Sequence, residues 1–249
     1  MYTEYIVRPL YNGLISVMNI VPGIDVGVAV IIFTVIIRLI LFPLAKSALL
    51  TQVRMKEVEP EAAKIRAQYA DDKQTQALKV MELYKTKKIK PFSSILLLII
   101  QLPILIALIS VFYKIIPTIS TDLLYSFVHV PVIKPTLLGL DLTSKSLILA
   151  VVTAVIQYFQ MHFSLAARQQ KAMSAQTTKS GGKLDSANQL SNSMNTQMKL
   201  ILPIFAFISL YWLIPARSPQ AASIIAIYWS VSALFTLAQE LYIKKRHLK

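Results

Sequence analysis

The sequence predicts an all-α polytopic membrane protein with five transmembrane helices around a polar groove and an antiparallel helical hairpin in the cytoplasm. Of the 249 residues, 55% are hydrophobic, which is more than most soluble domains contain. The apolar residues form runs of about 20, and a helix of that length crosses a hydrocarbon core of about 30 Å. Basic residues collect between these runs and leave a net charge of +14.

Proline, glycine and polar residues between the apolar runs mark where each span begins and ends. The predicted spans are residues 26–45, 92–116, 146–167, 198–214 and 221–243. Residues 1–25 precede the first span and are predicted to form an interfacial helix on the outer face. The reason is that Ile6, Leu10 and Leu14 recur every four residues and give this segment one apolar stripe.

The connections between the spans differ in charge, and this difference predicts the orientation. Twenty Lys and Arg residues lie in or beside residues 46–91, 168–197 and 244–249. Only five lie in the connections on the opposite side of the membrane, which include the outer loop 117–145. Cytoplasmic loops hold the excess of Lys and Arg, so the N-terminus is predicted outside and the C-terminus in the cytoplasm. Residues 168–197 are rich in Gln, Ser and Asn and predict a flexible loop.

Residues 46–91 predict the cytoplasmic hairpin, because apolar side chains recur there at steps of three and four residues, the spacing of a coiled-coil seam. The seam consists of Met55, Val58, Ala62, Ile65 and Tyr69. Asp71 or Asp72 then interrupts the helix and can cap a second helix. The apolar face of that second helix consists of Ala77, Met81 and Tyr84. A plain linker is the alternative, but a linker would not keep the heptad spacing.

Arg38 interrupts the first span, seven residues or about 10 Å from its inner end. A guanidinium stays protonated in practice and costs about 2.5–3.5 kcal/mol at the centre of a span. Three arrangements can offset this cost. The side chain can snorkel to the interface, it can pair with Glu240, the one acidic residue in the five predicted spans, or it can face a hydrated cavity.

Uncharged polar residues in the other spans favour the hydrated cavity. Hydrogen bonding between helices would explain any one of them alone. A polar side chain that faces lipid costs free energy, however, so these residues are expected to point into the bundle. Together they predict a groove with one sign of charge in the inner half of the membrane. Its predicted lining is Arg38, Gln101, Gln157, Gln160, Trp229, Ser232, Thr236 and Gln239.

The chain offers no group of residues for bond-making chemistry. It contains no cysteine, which excludes disulfides and thiol catalysis. His129, His162 and His247 have no partner at the spacing of a metal site or a catalytic pair. The predicted groove has one sign of charge and no relay of acids. This argues against a proton pump, because a pump needs titratable acids or histidines in the membrane. The sequence therefore predicts no enzyme, no metal and no cofactor, and leaves a channel or transporter with Arg38 as an anion site as the alternative function.

Short motifs occur together along the chain. Arg38 is followed by Leu-Phe-Pro-Leu, residues 55–60 read M-x-x-x-x-P, residues 69–72 read Y-x-D-D, residues 101–108 read Q-x-P-I-x-I-A-L, and residues 239–243 read Q-E-x-Y-I. With these motifs in this order the chain resembles the YidC/Oxa1/Alb3 family of membrane protein insertases, and the resemblance covers nearly the whole chain.

The resemblance implies a groove that opens to the cytoplasm and sideways to lipid in a bacterial plasma membrane. Nascent membrane proteins are the implied substrates, and the groove residues are the implied binding site. The hairpin would make the first contacts, through Met55, Pro60, Tyr69, Asp71, Asp72 and Tyr84. Contacts with a Sec translocon, signal-recognition components or the ribosome stay open, because positive-inside topology and anionic lipid explain the basic segments more simply.

Overall fold

The computed structural model describes residues 1–89, 93–115, 119–164, 201, 203–216 and 219–247. Helices joined by short connections make up most of this structure. In the described part of the chain they are α1 (Arg8–Ile20), α2 (Val26–Ile40), α3 (Phe42–Glu57), α4 (Glu59–Gln68), α5 (Lys73–Thr86), α6 (Ser93–Ile115), α7 (Leu147–Phe163), α8 (Pro203–Leu213) and α9 (Pro219–His247). A π-helical turn, Thr3–Val7, leads into α1, and a second one, Ser209–Leu213, ends α8.

Helix α9 lies at the centre of the bundle, where it packs against α2, α6 and α7. All residues from Ala221 to Tyr228 are buried. This stretch mixes alanine and serine with isoleucine, and small side chains let neighbouring helices approach closely. The hydroxyls of Thr153 on α7 and Ser230 on α9 hydrogen-bond at 2.9 Å, which ties the two helices together.

The first predicted span, residues 26–45, is divided between two helices. Helix α2 ends at Ile40 and α3 begins at Phe42, with a bend of 59° between them. Pro43 is the physical reason. It has no amide hydrogen and its ring clashes with the carbonyl four residues earlier, so it is tolerated at the start of α3 but not inside a continuous helix.

Helix α1 packs one face into the bundle against α2 and α6. Tyr11, Leu14 and Ile15 are completely buried on that face. Of the three residues in the predicted apolar stripe, Leu14 lies on this buried face, whereas Ile6 and Leu10 are only half-buried. The position of α1 at the outer membrane surface stays a prediction.

Polar side chains of α1 satisfy the backbone of the predicted outer loop. The Asn12 amide donates to the Leu123 carbonyl, and its oxygen accepts a hydrogen bond from the Tyr125 amide, both at 2.8 Å. The Arg8 guanidinium also donates to the Leu123 and Leu124 carbonyls. These bonds hold the loop against α1.

The same loop contains a short β-hairpin, so the fold is not purely helical as the sequence predicted. Strands β1 (Thr136–Leu137) and β2 (Leu140–Asp141) pair antiparallel. This β-hairpin packs on α2 at Gly27, where an added Cβ would come within 2.6 Å of the Leu137 Cβ. Glycine is therefore needed at this position for the close approach.

Apolar helices occupy all five predicted spans, but they differ in length. Helix α9 is long and apolar enough to cross a membrane unaided, over Pro219–Arg246. Among the residues whose side chains the structure also describes, α2 and α3 qualify only as a bent pair. Three further apolar helical stretches there are 10–17 residues long, namely Ile99–Lys114 of α6, Leu147–Phe163 and Pro203–Leu213. The five-span topology thus stays a prediction. The loop 168–197 and residues 198–200 of the fourth span lie outside the described residues, and the predicted tail 244–249 is helical as far as His247.

Helices α3, α4 and α5 form the predicted hairpin, with one helix more than expected. The first arm divides at Val58, because Pro60 occupies the first turn of α4. Tyr84 of α5 packs against Val58 in a small apolar core. An ion pair at 2.8 Å between the Lys87 ammonium and the Glu61 carboxylate joins the two arms.

The hairpin residues predicted to contact partners differ in exposure. Pro60 and Asp71 are exposed, and Met55 and Tyr69 are half-buried. Tyr84 is a correction to that prediction, since it is 6% exposed and fills the hairpin core. Little of its ring is left for a partner.

Asp72 caps α5 and settles the choice that the sequence left open. Its carboxylate accepts hydrogen bonds from the amides of Gln74 at 3.1 Å and Thr75 at 3.0 Å, and from the Thr75 hydroxyl at 2.6 Å. The Thr75 side-chain bond, followed by the backbone bonds, holds the pKa of the Asp72 carboxyl below its ordinary value.

We expect Asp72→Ala to speed amide hydrogen exchange in the first turns of α5 several-fold at neutral pH, because two backbone donors lose their cap. Asp71→Ala, one residue away, is the matched control and should leave exchange unchanged. The folded-state pKa of Asp72 is lowered, so its cap stabilises α5 at neutral pH and is lost as pH falls through that pKa. The difference between wild type and Asp72→Ala should therefore vanish in acid, after correction for intrinsic exchange rates.

Candidate functional site

Two adjoining cavities open beside the bend between α2 and α3. The first has a volume of about 350 Å³ and the second about 400 Å³. Arg38, Gln101 and Thr236 line both of them, so the two cavities form one polar recess. We call this recess the groove.

All eight residues that the sequence placed in the groove line it. Besides the three shared residues, Gln239 lines the first cavity, and Gln157, Gln160, Trp229 and Ser232 line the second. The helical repeat explains the arrangement, because residues three, four or seven apart share a helix face. Packing of α9 against α2, α6 and α7 then brings the polar faces of these helices together.

Arg38 lies in the last turn of α2 and is half-buried. In the described part of the chain none of the ion pairs involves it. Glu240, which the sequence offered as a partner, lines the first cavity too, but no ion pair joins the two side chains. Of the three arrangements considered for Arg38, the side chain is observed in a cavity rather than in an ion pair.

The groove contains a buried acidic residue, which the predicted lining did not include. Glu240 is 7% exposed, and its Oε1 accepts a hydrogen bond from the Ser164 hydroxyl at 3.0 Å. Glu240 lines only the first cavity, which α3 also borders, whereas Arg38 lines both cavities. Glu240 therefore lies in the part of the groove that α3 borders, and Arg38 lies where the two cavities adjoin.

Several polar groups of the groove are poorly satisfied by the protein. The Ser232 hydroxyl is buried without a hydrogen-bond partner among the described residues. The Gln101 amide reaches the Tyr228 hydroxyl, and the Gln239 amide reaches the Phe42 carbonyl, each at 3.5 Å, which is long for a hydrogen bond. Water is the usual partner of such groups in a polar cavity of this size. The groove therefore offers polar groups to which water can bind.

The sequence reasoning missed the wall that α3 contributes. Ala45, Ala48, Leu49 and Gln52 line the first cavity. The predicted hairpin began at residue 46, so Ala48, Leu49 and Gln52 were placed in the cytoplasm, and Ala45 was placed at the end of the first span. Their spacing of three and four residues was the signal that could have found this wall.

Apolar residues of α6 and α8 complete the second cavity. They are Leu105, Phe205 and Ala206. Phe205 is 55% exposed, and its neighbours Ile204 and Ile208 are about half exposed as well. Apolar side chains exposed on a membrane helix suit contact with lipid. The polar groove thus borders a surface that lipid can cover.

The chain is similar to proteins of one family. The family model described as 60Kd inner membrane protein matches residues 17–249. A protein named membrane protein insertase YidC from Fusobacterium nucleatum is 29% identical over 221 residues, which cover 88% of this chain and 86% of that protein.

Two further relatives with the same name match shorter stretches. The one from Clostridium tetani is 38% identical over 138 residues, which cover 55% of this chain and 57% of the relative. The one from Beijerinckia indica is 37% identical over 112 residues, which cover 45% of this chain and 18% of the relative. The match thus covers a little over half of the first of these two proteins and less than a fifth of the second.

We expect single cysteines to report the hydration of the groove, since the chain has no cysteine of its own. In inverted membrane vesicles, Arg38→Cys and Ser232→Cys should react with a membrane-impermeant maleimide, read as a mass shift on a gel. Ile36→Cys on α2 is the matched control. Ile36 is 41% exposed and apolar, so lipid should cover it and keep it unlabelled. Equal labelling at positions 36 and 38, or none at 38 and 232, would contradict a wet groove.

Proposed function

Because the chain belongs to the YidC/Oxa1 family, whose model is described as 60Kd inner membrane protein, we propose that it is a membrane protein insertase. It receives hydrophilic segments of nascent membrane proteins in the groove and releases their transmembrane helices into the bilayer. Its substrates are polypeptides, and the step makes and breaks no covalent bond.

One observation carries this proposal: a half-buried guanidinium stands in a recess that α2, α3, α6, α7 and α9 line with polar side chains. Polar groups inside a membrane bundle are expensive and mark a pathway for polar cargo. The poorly satisfied hydroxyl and amides favour water in the recess, and Arg38 adds a fixed positive charge. A hydrophilic segment that enters from the cytoplasm keeps hydrogen-bond partners while it moves into the bilayer.

Charge guides the segment in the proposed mechanism. Acidic residues of the cargo move toward Arg38, while Glu240 stands nearer the α3 side of the groove. At an effective dielectric constant of about 20, opposite charges about 10 Å apart attract by roughly 1.7 kcal/mol. That attraction is large enough to favour an acidic segment and too small to trap it.

Release into lipid takes place beside the apolar residues Leu105 and Phe205, which belong to α6 and α8. There the hydrophobic part of the cargo leaves the groove sideways. Burial of a helix of about 20 apolar residues in lipid releases on the order of tens of kcal/mol on the area scale. This free energy drives the step without nucleotide hydrolysis.

The hairpin formed by α3, α4 and α5 makes the first contact on the cytoplasmic side, where the basic connections of the chain are proposed to lie. Pro60 and Asp71 are exposed there and available to cargo or to targeting and translocon components. Helix α3 borders the first cavity as well. Cargo that meets the hairpin is thereby delivered to the entrance of the groove.

We expect the charge at position 38 to decide which cargo is inserted. In proteoliposomes, Arg38→Lys should retain insertion of substrates with acidic tails, Arg38→Ala should slow it about tenfold, and Arg38→Glu should abolish it, because attraction becomes repulsion. Protease protection of the translocated tail measures the rate.

A substrate with an uncharged tail is the control and should be slowed much less by Arg38→Ala. Normal insertion of every substrate by Arg38→Ala would exclude the electrostatic role. Ion conductance of the purified protein in planar bilayers, lost in Arg38→Ala, would instead support an anion channel.

A further inference from the structure

Glutamine is the predominant polar residue of the groove. Five glutamines contributed by four helices line it: Gln52, Gln101, Gln157, Gln160 and Gln239. The side chains of Gln52, Gln157 and Gln160 make no hydrogen bond to any described residue. Those of Gln101 and Gln239 make only the long bonds of 3.5 Å described above. The groove therefore presents a set of amide groups whose hydrogen-bonding capacity is largely unused among the described residues.

An amide side chain has a definite chemical complement. It carries two N–H donors and a carbonyl acceptor, whereas a guanidinium only donates and a carboxylate only accepts. A peptide group carries one N–H and one C=O, so a glutamine amide can pair with both at once. A groove lined with several glutamines thus matches a peptide backbone better than it matches an ion or one particular side chain.

The groove is long enough for several peptide groups. Ser232 and Gln239, which line its two cavities, lie seven residues apart on α9, or about 10 Å along the helix axis. An extended chain covers that distance with about three residues at roughly 3.3–3.6 Å each. The buried Ser232 hydroxyl, which lacks a partner among the described residues, adds one more polar group to the amides.

We infer that the groove binds the backbone of its cargo in an extended conformation, with the glutamine amides pairing peptide N–H and C=O groups. This inference rests on the proposed insertase function and names what that site recognises. Unpaired backbone groups oppose the passage of a polar segment through hydrocarbon whatever its sequence. Backbone pairing lets one groove serve cargo of many sequences, and Arg38 then adds a preference for acidic side chains.

The experiment uses the full chain in proteoliposomes and synthetic substrates with one transmembrane helix and an uncharged polar tail. Three tails are compared: a parent tail, a scrambled tail of equal composition, and a tail in which three consecutive amides are replaced by esters, which lack the N–H donor. Wild type should insert the parent and scrambled tails at equal rates and the ester tail about fivefold more slowly. Quenching of a fluorophore at the tail end by dithionite measures the rate.

The double variant Gln157→Met/Gln160→Met should slow the parent tail by a similar factor, and the ester tail should be slowed little further, since the bonds are already lost. Gln157→Asn/Gln160→Asn keeps the amides and should recover part of the rate. Val152→Met, on an exposed apolar position of α7, is the matched control for an added methionine and should insert like wild type.

Liposomes without protein give a further control, in which the slower insertion of the ester tail should disappear or reverse. The ester tail should enter them no more slowly than the parent, because it has fewer donors to desolvate. Two results would overturn backbone pairing. One is that wild type inserts the parent and ester tails at equal rates. The other is that the double methionine variant slows insertion of the ester tail by the same factor as that of the parent tail. If wild type inserts the parent tail no faster than protein-free liposomes do, the insertase function fails, and this inference fails with it.

Discussion

The structure depends on one constraint: a polar group that enters hydrocarbon must have a partner, and where the protein supplies none, water must be admitted. Arg38 is the extreme case, because its guanidinium remains charged. The chain does not neutralise it with an ion pair among the described residues. The helices instead leave two adjoining cavities beside Arg38, of about 350 and 400 Å³, and amides and hydroxyls contribute to their lining.

The bend at Leu41 makes this recess accessible. A straight helix over residues 26–45 would have run past Arg38 into the hairpin without turning. With Pro43 in its first turn, α3 leaves α2 at 59° and its residues Ala45 and Gln52 form a wall of the first cavity. The bend at this proline therefore places the hairpin directly beside the groove.

Uncharged amides and hydroxyls supply most of the polar lining of the groove. Glu240 is buried next to Ser164 in the cavity that α3 borders, and Arg38 lies where the two cavities meet. Amides line the recess in both cavities beside Arg38, so hydrogen-bonding groups outnumber ionisable ones there.

Much of the groove could be predicted from the sequence because helix periodicity is a local property. The spacing of Gln157 and Gln160, and of Ser232, Thr236 and Gln239, determines which helix face each occupies before any helix packs. The cost of polar groups in lipid then requires those faces to point inward. The same reasoning found the hairpin from Val58 and Ala62, and named Asp72 as one of two possible caps.

The sequence by itself determined a helical membrane protein, the polar faces of its helices, and the presence of an arginine whose burial has to be offset. Only the tertiary structure decided that α3 forms a wall, that Glu240 shares the cavity without an ion pair to Arg38, and that Tyr84 is buried in the hairpin. It also decided that a β-hairpin rests on Gly27. The physical reason is that a helix face is set by residues a few positions apart, whereas cavities and close contacts depend on how distant helices bend and pack.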